Sequence, residues 1–360
     1  MPRRLHRHGG DALRTLRRLL SLERTNQAPL CVCPRADRKR RLPVFPPVPR
    51  PAPETGAEAR NRTKSRAVCT AFSPFAGVPA GKEPSLQTDI RLIALDLDGT
   101  LLTSDKRLTD RTVRALARAA GAGAWIVPAT GRFYGGMPAS VRALPFLRYA
   151  ITINGAAVFD VEAGQDIARA EIPLAHALRI LEYLDTLPVI YDCYLDNAGW
   201  MTAAMQQRAA EFSADPHYLK MIRELRRPVP ELKAFLRERG CGVQKIQLFT
   251  KDRELRLRML RELEPRFGAL AVSSSVESNV EINDARANKG EALRALAAHL
   301  GLSAAQTMAF GDGLNDISML RAAGTGVAMA NAHPEAKAAA DQMTESCDRE
   351  GVAALLEKLF

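Results

Sequence analysis

From residue 90 onward, short apolar runs alternate with stretches whose apolar residues recur at helical spacing. Residues 91–96 (RLIALD) read as a buried strand, and residues 110–120 as an amphipathic helix with Thr109 or Asp110 as its N-cap. Residues 124–130 (AWIVPAT) read as a second strand. The rhythm returns after residue 288. A helix over 290–300 carries Leu293, Leu296, Ala297 and Leu300 on one face and stops at Gly301. Ser303 with Gln306 makes a capping box, followed by a strand at 307–310, a helix at 315–323 and a strand at 325–329. Strands alternating with amphipathic helices predict a parallel sheet covered by helices on both faces.

The middle of the chain has a different pattern. A helix over 174–187 leads to an apolar run at 189–195 (VIYDCYL), a turn at 196–199 (DNAG) and a strand at 200–203. A strand at 243–249, a helix at 252–264 and paired strands at 270–275 and 278–283 follow. Helices laid against short hairpins predict an α+β module inserted into the α/β one. The expected division is an extension over 1–88, core over 89–169, cap over 170–285 and core again over 286–360.

Composition supports real cores, with 46% apolar residues. The net charge of +11 would suggest nucleic acid if it were spread over the chain. It is not, because residues 91–360 carry 33 Lys/Arg against 33 Asp/Glu. The excess lies in the first quarter, which also holds 12 of the 22 prolines. That segment predicts a disordered basic extension. An Arg-rich amphipathic stretch at 11–24 leaves open an organelle-targeting role, and an early start codon would also account for the segment. No nucleic-acid or membrane partner is expected for the folded body. Six scattered cysteines suit free thiols in a reducing cytoplasm better than a disulfide framework.

In an open parallel sheet, ligands bind outside the carboxyl ends of the strands. Three stretches place polar residues there: Asp96-Leu-Asp98-Gly-Thr, Thr130-Gly131-Arg132 and Gly-Asp312-Gly-Leu-Asn315-Asp316. A fourth, Asn288-Lys289-Gly290, begins a helix. Four carboxylates at one edge repel one another unless a hard divalent cation joins them, and magnesium suits one or two carboxylates plus a substrate phosphate. Lys289 adds positive charge. One carboxylate of the Asp-x-Asp pair can attack phosphorus while its neighbour moves protons for the leaving alkoxide and then for water.

With these motifs in this order, "LDLDGTLL", "ATGR", "NKGEAL" and "GDGLNDISML", the chain resembles the haloacid dehalogenase superfamily, and within it the Cof-type sugar-phosphatase branch. "NGA" at 154–156 and "GVAMANA" at 326–332 add to the resemblance. It implies a Rossmann-like core with an inserted cap and a phosphatase that uses Mg2+ and small phosphorylated metabolites. Asp96 would be nucleophile and metal ligand, and Asp98 the acid/base that also offers its backbone carbonyl to the metal. Leu97, Thr130, Gly131 and Lys289 would bind the phosphoryl group. Asp312 would ligate the metal, Asn315 contact substrate or orient the site, and Asp316 support the metal from outside.

Alternatives of two kinds stay open at this level: a phosphomutase or phosphotransferase on the same core, and a non-catalytic phosphometabolite-binding protein. Arg132 suits an ion pair or a substrate contact equally. Tyr191, Tyr194 and Trp200 read as sheet packing rather than a lid over the ligand, and the run "RELRR" (223–227) as a wet helix face.

Overall fold

A computed structural model describes residues 89–213 and 216–360. The basic extension and its proposed targeting or disordered character therefore lie outside the described residues. The chain enters on β1 (Leu92–Leu95), crosses through helix α1 (Asp110–Gly121) and returns on β2 (Trp125–Pro128). Three short strands follow, β3 (Tyr149–Thr152), β4 (Ala157–Asp160) and β5 (Gln165–Arg169), paired antiparallel in a sheet of their own. Helix α2 (Leu174–Leu184) leads to the hairpin β6 (Ile190–Leu195) and β7 (Ala198–Thr202). Next come α3 (Pro216–Leu225), β8 (Arg226–Val229), α4 (Leu232–Arg239), β9 (Lys245–Phe249), α5 (Arg253–Phe267), β10 (Leu270–Ser273) and β11 (Asn279–Asp284). The chain then returns through α6 (Lys289–His299), β12 (Thr307–Gly311), α7 (Ile317–Ala322), β13 (Thr325–Met329), α8 (Pro334–Ala339), β14 (Gln342–Thr344) and α9 (Gly351–Leu359).

The core sheet runs β14-β13-β12-β1-β2, parallel throughout. All four residues of β1 are buried, as a strand covered on both faces requires. Helix α1 is held at its start by the Thr109 hydroxyl, which accepts from the Thr112 amide at 3.2 Å. It buries Thr112, Ala115, Leu116 and Ala119, one stripe at i, i+3, i+4 and i+7. The capping box of Ser303 and Gln306 forms as its spacing predicts.

The cap is a six-stranded sheet in the order β10-β11-β9-β6-β7-β8. Its helices pack on one face, around Tyr191, Cys193, Leu195, Ile246, Leu248, Val280 and Ile282. The alternate residues of the same strands are polar and also buried: Asp192, Lys245, Gln247 and Glu281. They look toward the core.

Two expectations change here. The run at 223–227 is not one exposed helix face, because α3 ends at Leu225 and Arg226 opens β8, only 3% exposed. Its guanidinium meets Asp192 at 2.7 Å and the Tyr194 hydroxyl at 2.7 Å. A cluster of charged residues marks solvent only while no opposite charge is buried beside it. The helix expected at 315–323 is also shorter, because residues Leu314–Asp316 form a 3-10 turn before α7.

Candidate active site

Because β1, β2 and β12 are parallel and in register at Leu95, Pro128 and Phe310, the residues just past each of them share one edge. That edge receives Asp96, Thr130 and Asp312. The chain turns away after Asp98 through Gly99, whose φ of +93° disfavours any side chain. A Cβ there would also lie 2.3 Å from Oδ2 of Asp312. The turn is tied by the Leu101 amide donating to the Asp96 carbonyl at 3.1 Å, and by the Thr100 hydroxyl donating to Oδ1 of Asp312 at 2.8 Å.

Lys289 arrives from the opposite side. Asn288 caps α6 by accepting from the Glu291 amide at 2.9 Å, which makes Lys289 the first helical residue. Its fully buried ammonium donates to Oδ1 of Asp96 and to Oδ1 of Asp316, each at 2.6 Å. Asp316 is itself oriented by the amides of Asp312 (3.0 Å) and Gly313 (2.8 Å) on its other oxygen. Gly155 lets the "NGA" turn sit directly on this cap. At φ +91°, a Cβ on it would come within 2.2 Å of the Asn288 carbonyl oxygen.

Burial pushes the Asp96 carboxyl up to about 8, with the charges of Asp316 and Asp312 acting in the same direction and Lys289 opposing them. Burial also raises Asp312. Burial would lower Lys289, but Asp316 and Asp96 outweigh it and hold the amine protonated. One oxygen from each of Asp96, Asp312 and Asp316 lies within 4.8 Å of the others. Three hard oxygen donors, two of them with carboxyls raised chiefly by burial, fit a divalent cation such as magnesium. The carboxylate of Asp98 is not in this cluster, which leaves its main chain as the contribution it could make to a metal.

Asp98 faces two cations. Arg132 approaches at 3.0 Å and Lys106 at 3.0 Å. Burial raises its carboxyl, but Arg132 and Lys106 outweigh this and hold it below the ordinary value. Arg132 is thus an ion-pair residue at the site. The Thr130 hydroxyl accepts from the Arg132 amide at 3.2 Å, fixing the loop on which both sit. The Leu97 side chain is wholly buried in the core, so a ligand can meet this residue only through its main chain. Asn315 donates to Oδ1 of Asn154 at 3.3 Å, and Asn154 donates to Glu281 of the cap at 3.0 Å.

Above these groups lies a cavity of about 780 Å³. Its floor includes Asp96, Asp98, Thr130, Gly131, Asp312, Asn315 and Asp316. The cap supplies Tyr194, Lys245 and Glu281, together with Met221 and residues 272–276. Cap and core are joined at the loop after Thr130. Lys245 donates to the Gly131 carbonyl (3.3 Å), Tyr194 packs edge-on against Phe133 (5.3 Å), and Asn197 accepts from the Tyr134 amide (2.7 Å).

A family model for haloacid dehalogenase-like hydrolases matches residues 93–356. The chain belongs to the haloacid dehalogenase-like hydrolase family. The phosphatase YwpJ of Bacillus subtilis is 31% identical over 290 residues, 75% of this chain and all of that protein. An HMP-PP phosphatase of Serratia proteamaculans is 33% identical over 74% of this chain and 94% of its own length. The pyridoxal phosphate phosphatase YbhA of Escherichia coli is 33% identical over 70% of this chain and 92% of its own length. A solved haloacid dehalogenase-like hydrolase from B. subtilis superposes with a TM-score of 0.63 at 30% identity, over 75% of this chain and all of its own. This hydrolase is therefore a phosphoric monoester hydrolase by family.

What sequence reasoning missed in the hydrolase is the cap side of the site. Tyr191 and Trp200 pack within the cap, the expected role. Tyr194 packs as expected, against Phe133, and also lines the cavity. Lys245 and Glu281 carried no motif. Their one signal was alternation, since Lys245 and Gln247 punctuate an otherwise apolar strand at period two. Among the described residues, no helix is long and apolar enough to cross a membrane.

Proposed function

We propose that the protein is a magnesium-dependent phosphatase of small phosphorylated metabolites that works through a phospho-Asp96 intermediate. One observation carries the reading: Asp96, on the floor of a capped cavity, lies 2.6 Å from a buried lysine and within a cluster of three carboxylates. When bound by Asp96, Asp312 and the Asp98 carbonyl, with Asp316 behind, magnesium would neutralise negative charge on the phosphoryl group. Oδ of Asp96 attacks phosphorus in line with the ester oxygen, and the P–O bond to the alcohol breaks. Lys289, the Thr130 hydroxyl and the amides near Leu97 and Gly131 hold the phosphoryl oxygens. Asp98 takes up a proton from solvent against the pull of Arg132 and Lys106, gives it to the departing alkoxide and takes one back from the water that cleaves the acyl phosphate. Arg132 and Lys106 fix the direction of its carboxylate.

The cap limits the leaving group to a small alcohol and sets Tyr194 against it, beside Phe133 of the core. Relatives named for HMP-PP and for pyridoxal phosphate support phosphorylated heteroaromatic alcohols as substrates, beside sugar phosphates. Phosphate release from a panel of phosphorylated sugars, nucleotides and vitamins tests the reading. Asp96→Asn is expected to lower turnover at least about a thousandfold while leaving the fold intact. Metal-dependent hydrolysis retained in that variant would overturn it. Transfer of labelled phosphoryl group to an added sugar alcohol in preference to water would assign a phosphotransferase instead.

A further inference from the structure

Lys245 and Glu281 are buried charges that the chemistry above does not use. Both line the cavity, with side chains 2% and 8% exposed. Their side chains share a face because Lys245 opposes Tyr194 across β6 and β9, while Glu281 opposes Gln247, two residues further along β9. The two partners are satisfied to different degrees. Glu281 accepts from the Ser275 hydroxyl at 2.7 Å, from Asn154 at 3.0 Å and from Asn279 at 3.4 Å. Lys245 has three N–H bonds to place. It reaches the Gly131 carbonyl at 3.3 Å and Glu281 at 3.4 Å, and lies 4.4 Å from the centre of the Tyr194 ring. Both polar contacts exceed the roughly 2.7–2.9 Å of a charge-assisted hydrogen bond.

A buried ammonium with slack contacts is costly unless another acceptor completes it. The other cations lining the cavity are committed elsewhere. Lys106 and Arg132 are each 3.0 Å from Asp98. Lys289, beneath, is held at 2.6 Å by two carboxylates. The Lys245 contact to Gly131, one residue past Thr130, also puts its ammonium beside the loop proposed to hold the phosphoryl group, where the first atoms of the alcohol must lie.

We infer that Lys245 is the specificity-determining residue of the cap, its ammonium donating to an oxygen acceptor on the leaving alcohol while Glu281 holds it in place. This rests on the phosphatase reading. Preferred substrates are then phosphate esters whose alcohol carries a phenolate, carbonyl or hydroxyl oxygen and has a face that can lie on Tyr194.

The test uses the full chain with magnesium. It measures kcat and KM for pyridoxal 5′-phosphate and glucose 6-phosphate, which carry such oxygens, and for phenyl phosphate, which does not. Lys245→Met is expected to lower kcat/KM for at least one oxygen-bearing ester about tenfold or more relative to phenyl phosphate, chiefly through KM. The double variant Lys245→Met/Glu281→Gln, which leaves no lone buried charge, should show the same change of selectivity and decides the matter if the single variant does not fold. Selectivity unchanged within twofold, or an equal loss on all three esters, overturns the inference while leaving the phosphatase reading standing. A wild-type enzyme that releases phosphate from none of them overturns both.

Discussion

Nζ of Lys289 lies 2.6 Å from Oδ1 of Asp96, across a sequence separation of 193 residues. The whole inserted cap lies between the two in sequence. Removing the cation leaves Asp96 and Asp316 buried together without compensation. Lys289→Met is therefore expected to lower kcat at least about a hundredfold. It should also destabilise the metal-free protein by about 3 kcal/mol. Thermal unfolding with and without magnesium checks the second part, since a divalent cation should recover some of that loss.

Chelation should have the same target. Treatment with EDTA is expected to remove at least about 99% of phosphatase activity, and added magnesium to restore it. Full turnover in EDTA-treated, metal-analysed protein would mean that the carboxylates of Asp96, Asp312 and Asp316 do not gather for a cation.

Gly99→Ala tests the turn. The new Cβ would clash with Oδ2 of Asp312 at a backbone angle that L-residues rarely adopt. Loss of activity of about a hundredfold is expected, with a fall in stability of about 1–3 kcal/mol. Equal activity and melting temperature would show that the turn has room to spare.

Arg226→Met should cost about 3–5 kcal/mol in denaturant unfolding, because it strands Asp192 at zero exposure. Adding Asp192→Asn to the same chain should return most of that loss. A double variant no more stable than the single one would assign the cost to lost packing on Phe133 and Tyr194 instead.

Glu281 gives a pH signature. Burial raises its carboxyl, but Lys245, the Ser275 hydroxyl and Asn154 outweigh this and hold it below its ordinary value of 4.5. A depressed folded-state value means stability that is present above the unfolded value and lost as pH falls through the folded one. Glu281→Gln should therefore destabilise the protein by about 3 kcal/mol at neutral pH. The gap from wild type should narrow as pH drops below about 4. A gap independent of pH would argue against an ionised carboxylate in this position.

The core and the carboxylates gathered at its sheet edge were legible because each motif is local. An apolar strand followed at once by Asp-Leu-Asp-Gly-Thr needs only the parallel-sheet rule to place its carboxylates, and "NKGEAL" carries its own N-cap. The small sheet β3-β4-β5 was not foreseen. Its strands are four to five residues long, and Asn154 between two of them takes a left-handed backbone at φ 56°. Nor was the buried fate of Arg226, since charge density alone cannot tell a wet helix from a strand whose counter-ion lies 34 residues earlier.

By itself the sequence determined the alternation that builds the parallel sheet, and the residue types that meet at its carboxyl edge. Tertiary structure alone decided that the polar side of the cap sheet faces the core rather than water. Period-two alternation says which residues share a face, never which face is covered. Lys245, Glu281 and Tyr194 became cavity residues because the core closes over that face, a fact carried by contacts between segments far apart in the chain.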